Sequence, residues 1–133
     1  MRPGAFALSE NEFSRHIVEC AIEARRTLGG PGLLESMYEQ ALIWELKERN
    51  LPVSCQVRFP IRYKRQTMEP HLRIEPVVGT KVILECKATT VFNSIFEAQI
   101  LTYLRLTCLK LGLITNFGER LVRGGDHRVV GGL

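Results

Sequence analysis

Just past Asn50 the hydrophobic period of the chain changes from about 3.6 residues to 2, and that change restricts the fold to helices stacked on a sheet. Before it, Phe13, Ile17, Ala21, Ala24 and Leu28 fall three or four apart, one face of a helix. Ser9 and Glu12 stand at the spacing of a capping box at its start. Gly29-Gly30-Pro31-Gly32 stops it and permits a tight reversal. A second helix is expected from about Leu33 to Arg49, with Leu34, Met37, Tyr38, Ala41 and Trp44 on a broad apolar face. After the change, Val53, Cys55, Val57, Phe59, Ile61 and Tyr63 alternate with polar residues and Pro60, which predicts one half-buried strand. Pro60 lacks a donor and so predicts an edge or a bulge.

A polar turn through Lys64 to Pro70 should lead to a less regular strand near Leu72 to Val78. Gly79-Thr80 is the expected tight turn into a stronger strand, Lys81 to Lys87. The helical period returns over Ile95 to Leu111, with Leu101, Leu104, Cys108 and Leu111 as its stripe and Gly112 as its end. Leu113 to Phe117 reads as a strand, and a helix between it and the preceding strand predicts a right-handed, parallel crossover. A further strand is expected at His127 to Val130. The order is α-α-β-β-β-α-β, which implies an α/β fold with a single mixed sheet and helices packed on it.

At 133 residues the chain fits one domain, 1–133, with one core. No apolar run is long enough to span a bilayer, and Met1 to Glu12 shows no signal-peptide pattern, so a cytoplasmic protein without membrane contact is expected. Cys20, Cys55, Cys86 and Cys108 lack paired zinc spacing and read as buried free thiols. Lys and Arg number 18 against 14 Asp and Glu, a mild excess that suits a phosphate backbone without demanding one.

Chemistry concentrates near the third strand. Glu85 and Lys87 are two apart, so both side chains leave one face, with Ile83 preceding them there. Pairing across Gly79-Thr80 places Glu75 opposite Leu84 or Glu85. Two carboxylates in one concavity repel unless a cation neutralises them, and Mg²⁺ accepts one or two carboxylates while keeping waters and phosphate ligands. Such an ion polarises a phosphate and acidifies a bound water, and Lys87 can orient that water or offset phosphoryl charge. Glu35, early in the second helix, is a candidate third carboxylate, and Gln99 and Tyr103 lie one turn apart. By spacing alone the same residues also fit a solvated face with salt bridges. His16, His71 and His127 have no metal-ligand spacing.

Further blocks then fall into register. Gly32-Leu-Leu-Glu35-Ser-Met-Tyr38 resembles the signature of the bacterial GxxExxY proteins, which belong to the PD-(D/E)XK nuclease-like superfamily. Gln56-Val57 and Tyr63-Lys64 agree, Val82-Ile-Leu-Glu85-Cys-Lys87-Ala88 resembles the E-x-K strand, and Glu97-Ala-Gln99-Ile-Leu-Thr-Tyr103 resembles the helix with the superfamily's glutamine. Leu111 to Phe117 is similar to the closing strand, and the likeness covers roughly residues 13 to 130. It implies a restriction-endonuclease-like core and a Mg²⁺-dependent nuclease, Mn²⁺ being the alternative ion. By it, Glu35, Glu75 and Glu85 would serve as metal ligands, Lys87 as the E-x-K lysine and Gln99 as the glutamine beside the site. The partner implied is nucleic acid, DNA ahead of RNA, with a homodimer or a partner subunit supplying specificity. A catalytically inactive nucleic-acid-binding or protein-interaction module is the alternative on the same fold.

This chain departs from the pattern at three places. Glu75 stands where the superfamily has aspartate, Pro76 where the family usually has an aliphatic residue, and Phe96 where it commonly has histidine. The last exchange puts an apolar group where a polar one is expected.

Overall fold

The computed structural model describes residues 8–30, 32–74, 76–118 and 126–131. Its elements in chain order are α1 (Glu10–Leu28), α2 (Glu35–Glu48), β1 (Val53–Ser54), β2 (Val57–Tyr63), β3 (Gln66–Ile74), β4 (Val77–Val78), β5 (Val82–Lys87), α3 (Ile95–Thr107), β6 (Leu111–Asn116) and β7 (Asp126–Val130). The capping pair forms at the start of α1. Ser9 Oγ accepts from the Glu12 amide at 3.1 Å, and its hydroxyl donates to the Glu12 carboxylate at 3.1 Å.

A five-stranded mixed sheet runs β1-β4-β5-β6-β7. β5 and β6 are parallel, Val82 pairing with Leu111 and Lys87 with Asn116, and α3 makes the crossover between them. The β4–β5 and β6–β7 pairs are antiparallel. Gly79 and Thr80 both adopt positive φ, 62° and 57°, in the turn ahead of β5. Gly112 is also required, since a Cβ there would meet Ile100 Cγ2 of α3 at 2.2 Å. That absent side chain lets the crossover helix lie close on β6.

Two apolar clusters sandwich the sheet. On one face Val82, Leu84 and Cys86 pack with Phe13, Ile17 and Ala21 of α1 and with Tyr38, Leu42 and Leu46 of α2. Tyr38 stacks on Phe117 with ring centroids 4.7 Å apart and planes within 7°. On the other face Ile83 and Ile114 pack with Ile100 and Leu104 of α3. Strand alternation therefore sends Glu85 and Lys87 to the α3 side.

Several expectations need correction. There are two sheets among the described residues, because β2 and β3 pair only with each other as a separate antiparallel hairpin. The alternating run is broken after Ser54, where Gln56 takes φ 57° and turns the chain out of the main sheet. The turn expected over Lys64 to Pro70 shrinks to Lys64 and Arg65, since β3 already begins at Gln66. The ladder does shift register between Phe59 and Ile61, flanking Pro60.

On α2 the expected apolar face is mostly outside: Leu34 is 74% and Trp44 60% exposed, while Tyr38, Leu42 and Leu46 are buried. The helix is apolar on two sides, so periodicity alone could not choose between them. α3 ends at Thr107, four residues early, because Cys108 takes a left-handed conformation and Leu111 and Gly112 belong to β6. Its buried pair is Ile100 and Leu104, with Leu101 exposed. Cys20 and Cys86 are buried free thiols as expected, but Cys55 and Cys108 are exposed. No helix among the described residues is long and apolar enough to cross a membrane.

Candidate active site

The C-terminal end of β5 carries Glu85 and Lys87 out of the core to the rim of the sheet. Lys87 Nζ lies 3.5 Å from Glu85 Oε1, with both side chains about one-fifth exposed, at 19% and 23%. The backbone around them is fixed. The Phe117 amide donates to the Lys87 carbonyl at 2.7 Å. Buried Asn116 donates from Nδ2 to the Thr89 carbonyl at 2.9 Å, and its Oδ1 accepts from the Thr89 amide at 3.0 Å and the Gly118 amide at 3.0 Å. The segment leaving β5 is thus tied to the end of β6.

Phe96, in the first turn of α3, lies under the lysine. Lys87 Nζ sits 4.6 Å from the centre of its ring. The apolar exchange at this position is therefore no loss of electrostatic partnership, since the π face attracts the ammonium. Phe92 meets Phe96 edge-on at 5.4 Å and stacks on His127 at 3.9 Å, which holds the aromatic wall in place.

Glu85 and Lys87 open into a cavity of about 320 Å³, also lined by Glu39, Arg73, Ile74, Gln99 and Tyr103. Gln99 Nε2 donates to the Tyr103 hydroxyl at 2.9 Å, an i to i+4 pair along α3 that fixes the amide at the cavity wall. Burial raises the Glu85 pKa above the usual carboxylate value; Lys87 pulls it down through charge and hydrogen bonding, and the charge of Glu35 pushes it further up. The neighbouring Cys86 thiol is raised well above its ordinary value by burial, with the charges of Glu39, Glu85 and Glu35 adding to the effect. Negative charge from α2 therefore reaches the end of β5.

The expected site residues divide into three groups. Glu85, Lys87 and Gln99 come together around one cavity. Glu35 is exposed in the first turn of α2 and does not line it, although its charge acts on Glu85. Glu75 lies outside the described residues. The β4–β5 ladder is described up to Pro76, whose carbonyl accepts from the Leu84 amide at 3.1 Å, so the proline keeps its acceptor although it has no donor to give.

Two charged cavity residues escaped the sequence reading. Glu39 is one turn beyond Glu35, and i to i+4 spacing could have found it. Arg73 had no such signal, because its position depends on the β2–β3 hairpin turning away from the main sheet. Among the described residues no group of three or more His, Cys, Asp or Glu side chains forms a metal-binding cluster.

A carboxylate and a lysine two residues apart on a strand, a parallel crossover helix bearing a glutamine, and a mixed sheet between helices occur here in one connected order. The model of the PD-(D/E)XK nuclease superfamily matches residues 11–129, so it spans all the elements that build the cavity. No curated protein and no solved structure matches the chain. Cavity, chain order and match agree: this chain belongs to the PD-(D/E)XK nuclease superfamily.

Proposed function

We propose that the protein is a metal-dependent nuclease that hydrolyses phosphodiester bonds in nucleic acid, DNA ahead of RNA. The observation that carries this reading is the Glu85–Lys87 pair at 3.5 Å, opening with Gln99 into one polar cavity.

The donors at this end of the sheet are carboxylate oxygens, the chemistry of a hard cation such as Mg²⁺, with Mn²⁺ as an alternative. Mg²⁺ is commonly held by one or two carboxylates, with waters and phosphate oxygens filling the remaining positions, so a three-residue protein cluster is not required. Glu85 and Glu75 would hold the ion, and Glu35 would complete its surroundings directly or through water. When bound, the ion would supply charge for the phosphate and acidify a water.

The chain's own groups do the rest. Lys87, fixed between Glu85 and the Phe96 ring, would orient the attacking water and offset charge on the phosphoryl oxygens. Gln99, its amide steadied by Tyr103, would hold the substrate or a neighbouring polar group. Arg73 faces the same cavity and brings a planar donor suited to phosphate oxygens.

A nucleic-acid-binding module without cleavage is the second reading, favoured by the Lys87–Glu85 ion pair at 3.5 Å, in which the lysine already balances the carboxylate. Calorimetric titration with Mg²⁺ and Mn²⁺ separates the two. Binding by the wild type that is lost in Glu85→Ala, with metal-dependent cutting of single-stranded, duplex or branched DNA or of RNA lost in Glu85→Ala and Lys87→Ala, is the expected result. No metal binding at millimolar concentration sinks the nuclease reading. Nucleic-acid binding without cutting selects the module.

A further inference from the structure

The net charge of this protein is concentrated in one structural unit. Residues 57–74, which form the β2–β3 hairpin, contain Arg58, Arg62, Lys64, Arg65 and Arg73 against the single acid Glu69. That is a net +4, equal to the +4 of the whole chain, and it leaves thirteen residues of each sign elsewhere. All five cations are exposed.

Pairing gives the charge a direction. Val57 stands opposite Ile74 and Phe59 opposite Leu72. Val57, Phe59 and Leu72 pack against the α3-side core beside Phe96 and Tyr103. The intervening pair is Arg58 opposite Arg73, and strand alternation puts Arg62 on the Arg58 face. Seating the apolar face on the core turns the arginine face outward. Two like charges directly across a ladder repel. Their face also forms a small cavity of about 140 Å³ with Glu69, Pro70 and His71. Arg73 lines both this cavity and the one holding Glu85 and Lys87. Arg73 at the candidate active site, Arg58 and Arg62 along β2, and Lys64 and Arg65 at the turn thus distribute exposed cations over the length of the hairpin.

We propose that the β2–β3 hairpin is the arm by which this protein holds duplex DNA, with its arginine face against the phosphate backbone. The idea rests on the reading above for nucleic acid as partner, and names the form of nucleic acid and the surface that grips it. From Val57 to Tyr63 the arm reaches roughly 20 Å, about six base-pair steps of a duplex, so it spans several phosphates on either strand. Single strands are typically gripped by exposed aromatic platforms. This hairpin exposes one aromatic ring, Tyr63, with Lys64 Nζ 5.4 Å from its centre, which is too few for a run of stacked bases. Held this way the arm lies along the major groove of B-form DNA with its cations on the flanking phosphates, a placement that the deep, narrow major groove of an A-form RNA duplex does not admit.

The test is fluorescence anisotropy with a short DNA duplex, its single strand and the matching RNA duplex, over a salt series in EDTA so that cleavage plays no part. Five cations at the phosphates predict that log K falls with log salt at a slope of about −4 to −5. The variant R62Q/K64Q/R65Q should bind at least tenfold more weakly at low salt, with a slope shallower by about three. Glu69→Gln should bind the duplex several-fold more tightly, a change of sign that misfolding would not produce. An unchanged slope in the triple variant overturns the proposal, as does tighter holding of the single strand or RNA duplex, or equal competition by polyglutamate. Cleavage is scored separately. Hairpin-dependent binding without metal-dependent cutting leaves this inference standing and removes the nuclease reading; cutting by a triple variant that binds like wild type does the reverse.

Discussion

The main sheet and the β2–β3 hairpin are built from adjacent stretches of chain and have opposite characters. β5 and β6 are almost entirely buried, with Val82, Ile83, Leu84 and Cys86 facing Leu111 to Asn116 across a parallel ladder. Among the described residues the hairpin pairs only with itself, and beyond its base its side chains are largely exposed. One region derives stability from apolar burial and a few fixed polar groups. The other carries charge that adds little to folding and even opposes it where Arg58 meets Arg73. On the proposals above this is a division of labour: the sheet fixes the geometry of Glu85 and Lys87, and the hairpin would meet the nucleic acid.

This comparison can be broken by mutation. The largest effect is expected in the sheet. Phe117→Ala removes the ring stacked on Tyr38 in the core and should cost about 3–5 kcal/mol in urea unfolding, while Tyr63→Ala in the hairpin should cost less than about 0.5. Equal losses would erase the distinction. Next, Lys87→Ala should reduce metal-dependent cutting by about 10²–10³-fold in single-turnover assays while leaving duplex binding in EDTA intact. Loss of binding as well would mean that the two regions are not separable.

Smaller changes sharpen it. Gly112→Ala drives a methyl into Ile100 and should destabilise by about 1–3 kcal/mol, measured by thermal melting, with no change in the salt slope of binding. Phe96→Leu keeps an apolar wall but removes the π face, and should lower kcat a few-fold with metal affinity unchanged. The smallest effect is chemical. Burial raises the Cys20 thiol to about 11, so at pH 8 only about one in a thousand is thiolate and alkylation is slow. The rate should rise about tenfold per pH unit toward that value, because the thiolate is the nucleophile. Exposed Cys55 and Cys108 should react at once in the native protein, and Cys20 and Cys86 only slowly or after denaturant.

Local pattern carried much of this architecture. Ser9 and Glu12, the Gly79-Thr80 turn and the alternation of β5 were legible because each depends on residues a few positions apart. Glu85, Lys87 and Gln99 were legible for the same reason, since a strand and a helix present side chains at fixed spacing. The failures lie where distant parts of the chain decide the outcome. Which side of α2 is buried depends on Tyr38 finding Phe117, and no period within the helix encodes that. The end of α3 was misplaced because Leu111 fits a helical stripe as well as it fits β6, and the ladder with β5 claims it. The split between β1 and β2 turns on Gln56 taking a left-handed backbone, a conformation that alternating hydrophobicity does not announce.

The Phe96 ring under Lys87 also affects the count of hydrogen bonds at the site. An ammonium has three N–H groups, and a carboxylate or histidine partner would engage one of them directionally. A π face balances charge without providing a lone pair for any of the three. With Glu85 taking one, Lys87 is held in place on two sides and still has donors for the water and the phosphate oxygen of the proposed reaction. Exchanging a polar neighbour for phenylalanine leaves the lysine anchored by its charge and unspent as a donor.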